Sequence, residues 1–101
     1  MNFGKKDKQP ADVKDYPVDY ADWLAEIAGG DVLDSCIATV ECITDPMDTA
    51  LVVDQVVVAP KSLAVWLSGG TSGQSYKVTM LTTTAGGRVD ESELTIRVKD
   101  R

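Results

Sequence analysis

The sequence contains no histidine. The commonest general base, the commonest zinc ligand and any conventional Ser–His pair are therefore missing. Cysteine is scarce, with only Cys36 and Cys42. Both lie in SCIATVEC, which reads as strand, and an extended chain would hold them ~20 Å apart. A disulfide needs roughly 5–6 Å between Cα atoms, so both are read as free thiols. Their shared parity puts them on one strand face as small buried hydrophobes. Reduced thiols fit assembly in a cytoplasm. No apolar run approaches the roughly 18 residues of a membrane span. The opening MNFGKKDKQPADVKD has lysines but no apolar h-region, so neither a secretion signal nor a membrane partner is expected. Basic residues are outnumbered 10 to 16, for a net charge of −6. An acidic body argues against a nucleic-acid partner.

What is present fits one small β domain. The chain has 101 residues, 44% of them apolar, enough for a single core. Residues 1–14 are polar and aperiodic, and are expected to form a flexible N-terminal arm. Residues 15–101 then make the single domain. Tyr16, Val18 and Tyr20 alternate as a short strand, which Pro17 places at an edge. ADWLAEIAGG reads as a short helical turn near residues 21–28, stopped by Gly29–Gly30. In Leu33–Ile43 the Cys36, Ala38, Val40 and Cys42 face is uniformly apolar and turns to the core. The Val-rich run Leu51–Val58 favours strand, with Asp54–Gln55 as a point where it could break in two. Leu63, Val65 and Leu67 share a face, as do Tyr76, Val78 and Met80, and Leu94, Ile96 and Val98. Ala85–Arg88 is a hairpin turn. About seven short strands with turn signals between them predict an all-β, immunoglobulin-like Greek-key sandwich.

Three features invite a chemical reading. SGGTSG has the glycines of a phosphate loop but neither the Lys nor the following helix. It is read as a structural corner: Gly69, Gly70 and Gly73 supply positive-φ positions, and the Tyr76 phenol bonds back to loop backbone as in a tyrosine corner. The acids Asp45, Asp48, Asp54, Asp90, Glu91 and Glu93 fall in or near turns without the converging oxygens of a calcium site. Trp66 has the opposite parity to Leu63, Val65 and Leu67, so it points outward and is a candidate hot spot, unless Tyr20 and Trp23 fold over it. Lys5, Lys6 and Lys8 on the arm complete the candidate partner interface. No catalytic residue, metal ligand or cofactor is expected.

DYPVDYADWLA, AVWLSGGTSGQSYKVT and TTTAGGRVDESELTIRVKDR occur in that order over residues 15–101. Together they resemble the small proteins of tailed bacteriophages and prophages described as fibre–tail adaptor proteins. The Val-rich centre Leu51–Val58 and the Lys-bearing arm depart from that pattern. The resemblance implies a non-enzymatic virion protein of immunoglobulin-like fold. It would act in multiple copies at a tail or neck, joining a ring, fibre or capsid component. The recognised motifs are fold determinants, so no functional residue is carried over. A capsid decoration or cement protein is the alternative, and a carbohydrate-binding or adhesion module a further one.

Overall fold

Apolar–polar alternation with a period of two gives each strand one face to bury. In the computed structural model, which describes residues 1–27 and 29–100, seven strands and one helical turn result. They are β1 (Asn2–Lys8), β2 (Lys14–Asp19), α1 (Ala21–Leu24), β3 (Leu33–Cys42), β4 (Leu51–Val58), β5 (Ser62–Gly69), β6 (Ser75–Thr84) and β7 (Val89–Val98). One sheet has the order β1-β7-β6-β3 and the other β2-β5-β4. Every pairing is antiparallel except β1 on β7. This is an immunoglobulin-like sandwich. Its core is the expected one: Leu63, Val65 and Leu67 face Tyr76, Val78, Met80, Leu94, Ile96 and Val98, none more than 2% exposed. The two cysteines are free, Cys42 buried and Cys36 half-buried.

Two elements are shaped differently from the sequence expectation. Leu51–Val58 stays one strand, because the register slips by one residue between Val53 and Gln55. That bulge absorbs Asp54 without ending the pairing. The helical turn covers only Ala21–Leu24, held at its start by the Ala21 N–H donating to Asp19 Oδ1 at 2.8 Å. Ala28, at the end of the expected turn, lies outside the described residues.

The flexible arm is the main correction. Asn2–Lys8 is a strand, paired in parallel with β7 from Asn2↔Glu93 to Lys8↔Val98. Gly4, at φ +84°, sits where the register shifts between Asn2 and Lys5. Phe3 thereby meets Tyr20 edge-on at 5.3 Å between ring centroids. Lys8, expected on a partner surface, is only 2% exposed. Its Nζ donates to the carbonyls of Gln9, Pro10 and Gly69. Burial pushes its pKa below the ordinary lysine value, with Asp12 opposing that shift. Asn2–Lys8 is therefore a strand of the sandwich rather than a loose arm. A strand with one apolar side chain among seven residues has no alternation to betray it.

The SGGTSG corner carries the chain from β5 in one sheet to β6 in the other. Gly69 and Gly70 have φ of +75° and +100°. A Cβ on Gly69 would meet the Ala50 carbonyl oxygen at 2.3 Å, and one on Gly70 would meet Val98 Cγ2 at 2.7 Å. Glycine is thus required twice over, by dihedral and by space. Gly73 is also at positive φ, and its N–H donates to Val98 O at 2.9 Å. Inside the corner, Tyr76 Oη accepts from the Thr71 N–H at 2.9 Å and donates to Asp48 Oδ1 at 2.8 Å. Burial raises the phenol pKa, and the Asp48 carboxylate adds to the shift. Asp48 is held below its ordinary value of 3.8, first by the Ala50 N–H and then by Thr71 and Tyr76. Asp31 is held below it by Thr84 and by the N–H groups of Val32 and Gly86.

Three stability outcomes are expected. Deleting residues 1–8 leaves β7 paired only with β6 and removes Phe3 and Lys8. It should lower Tm by about 10 °C or more, since each kcal/mol is worth about 4–8 °C in a domain this size. An unchanged melt would restore the loose-arm reading. Tyr76→Phe leaves the Thr71 N–H without its acceptor and should cost about 1–3 kcal/mol in urea denaturation. Depressed carboxyl pKa values stabilise the fold fully above 3.8 and lose that contribution as pH falls through the lower folded values. Tm should therefore drop on acidification below 3.8, and less steeply in Asp48→Asn, as followed by circular dichroism.

Candidate partner interface

The strands put the expected interface residues in three different settings. Lys5 and Lys6 are exposed on β1, level with Thr95 and Ile96, and neither has an ion pair among the described residues. Lys8 is buried and structural, as described above. Trp66 projects from the outer side of β5, between Asp15 of β2 and Gln55 of β4, and is half-buried there. The next row of that face is Pro17, Ala64 and Val57. Trp23 does not cover Trp66. It packs edge-on against Tyr20 at 5.9 Å, and the Arg88 guanidinium lies 4.2 Å from its ring centroid. Both contacts form beyond the Ser62 end of β5, where the Tyr20 N–H donates to Lys61 O. The Tyr76 ring is fully buried, so it makes no sugar-stacking platform with Trp66.

A second outer face escaped the sequence reading. Ile37 on β3 and Leu81 on β6 are direct cross-strand partners, 67% and 43% exposed. Val89 on β7, 59% exposed, lies diagonal to Leu81, because it pairs with Thr83. The signal was available: three apolar residues stand on the otherwise polar parity of adjacent strands. Charge holds a second missed signal. Residues 15–60 contain ten Asp or Glu and no Lys or Arg. That block builds β2, α1, β3 and β4.

Two depressions mark the surface of the described residues. One of about 100 Å³ is lined by Asp7, Lys8, Gln9, Asp12, Lys14 and Lys99. It is smaller than the roughly 300–1,000 Å³ of small-molecule sites. Another of about 350 Å³ is lined mainly by polar side chains, Asn2, Lys77, Thr79 and Glu93 among them, where ligand sites are mostly apolar. Among the described residues no three His, Cys, Asp or Glu side chains converge as metal ligands. What the surface does offer is two outward sheet faces with apolar centres and a pair of unpaired lysines.

Comparison with known proteins agrees with this picture. A family described as podophage GP4 fiber-tail adaptor protein gp77 matches residues 8–97. The match runs from the last residue of β1 to the penultimate residue of β7, so it takes in nearly the whole sandwich. No curated protein matches the chain. With its corner glycines, its Tyr76 clamp and the pairings of β2 to β7 inside the matched range, the chain belongs to the podophage fiber-tail adaptor family.

Proposed function

We propose that this protein is a non-catalytic connector that joins fibres to the tail of a podophage particle, in several copies. The observation that carries the reading is the family match over residues 8–97. It supports a structural adaptor role and a place in the virion. The physical features fit that role. Trp66 and the Ile37–Leu81 pair give each sheet an apolar outer centre, and outward-facing aromatic and aliphatic groups of this kind anchor protein interfaces. Repeated weak contacts around a symmetric tail would add by avidity. The partners are other virion proteins rather than nucleic acid, since the body is acidic, and the free thiols fit assembly in the host cytoplasm before lysis.

The test is deletion of the gene from the phage genome that carries it, followed by electron microscopy of the particles. Filled heads with tails that lack fibres are expected, restored by the gene supplied in trans. Particles with normal fibres but leaky or unstable shells would instead make the protein a capsid decoration.

A further inference from the structure

The sandwich has four sheet edges, at β1 and β3 in one sheet and at β2 and β4 in the other. An unpaired edge is a template for strand addition, and proteins guard such edges with Pro, Lys, bulges or shortness. Three of the four are guarded. β1 carries Lys5 and Lys6 and a register shift at Gly4. β2 has six residues and contains Pro17. β4 is bulged at Asp54.

β3 has a register shift between Leu33 and Ser35 at its first end, and beyond that point none of these devices. It is ten residues long, and its register with β6 is unbroken from Ser35 to Cys42. No Pro, Gly, Lys or Arg interrupts it. Its first residue is capped, with the Leu33 N–H donating to Pro60 O. The Ile43 N–H points to Ser75 O on the β6 side. By alternation, the N–H and C=O groups of Cys36, Ala38, Val40 and Cys42 point to the free side. Among the described residues no backbone group beyond β6 pairs with them.

We propose that β3 is the docking edge of the adaptor, extended by one added strand from a partner virion protein. This rests on the adaptor reading above. The chemistry of the edge specifies the incoming segment. Its apolar centre would lie beside Ile37, continuing the Ile37–Leu81–Val89 patch. Its ends would be basic, because Asp34 and Glu41 flank the edge, Glu41 sharing its charge with Lys77 of β6 at 3.2 Å, and the chain from residue 15 to 60 holds ten acids and no cation. The same charge disfavours β3 of a second copy, since like charges brought into register repel. Backbone hydrogen bonds would give affinity, and alternate side chains specificity.

The experiment supplies the deleted phage with variants and counts copies of the protein per particle by quantitative mass spectrometry. Ala38→Pro removes one outward N–H and no bond to β6. Ile37→Lys puts a cation at the exposed centre, and Asp34→Lys with Glu41→Lys reverses the flanks. Each should lower incorporation at least tenfold while the isolated variant stays folded. Val52→Lys, 48% exposed on β4, should incorporate like the wild type. Should Ala38→Pro fail to fold, Ile37→Lys decides, because that side chain is already solvated. Normal incorporation of Ile37→Lys or of the double charge reversal overturns the proposal. So does a dimer of the isolated wild type, seen by sedimentation, that either variant abolishes. If the wild-type protein is found on the shell rather than at the fibre–tail junction, the adaptor reading fails instead.

Discussion

One phenol oxygen fixes the path of the chain between the two sheets. Tyr76 lies at the start of β6, and its Oη holds both the Thr71 N–H of the corner and the Asp48 carboxylate of the β3–β4 loop. The corner must cross from one sheet to the other within a few residues, and it does so against the Ala50 carbonyl and the Val98 side chain. Gly70 N–H donates to Ala50 O, and Lys8 reaches Gly69 O from β1. Elements from both sheets and from the first strand thus converge on one turn. A buried hydroxyl satisfied in this way costs nothing on folding and penalises every alternative path that would leave it unpaired.

Legibility in the sequence followed where the decisive interactions were local. β5, β6 and β7 alternate strictly, so their inward sets could be named residue by residue, and parity alone placed Trp66 on the outer side of β5. β1 was invisible because its order comes from elsewhere: hydrogen bonds to β7 some ninety residues away, and one aromatic contact to Tyr20. Lys8 illustrates the same limit. A lysine reads as solvent-facing until the fold brings three carbonyls to its ammonium, one of them 61 residues distant. The slip at Asp54 depends on β4 keeping its grip on β5 on either side, which no local propensity reports.

The surface follows a similar division. The cation-free block from residue 15 to 60 can be counted in the sequence. Its meaning appears only with the strand order, which places β3 at an open edge. Chemistry is then a poor guide to what this molecule does, and geometry a good one. In the docking proposed above, specificity would reside in which backbone edge is left bare and in the sign of the charges beside it.

The lone parallel pairing has a mechanical side. The Met1 ammonium lies by Glu91 and Asp90 at one end of β7, while Lys99 N–H bonds to Lys8 O at the other. The two chain ends therefore leave the β1–β7 pair in opposite directions. Tension applied between them slides β1 along β7 instead of peeling it away. The bonds of the pair then share the load together, where a hairpin pulled open would lose them one at a time.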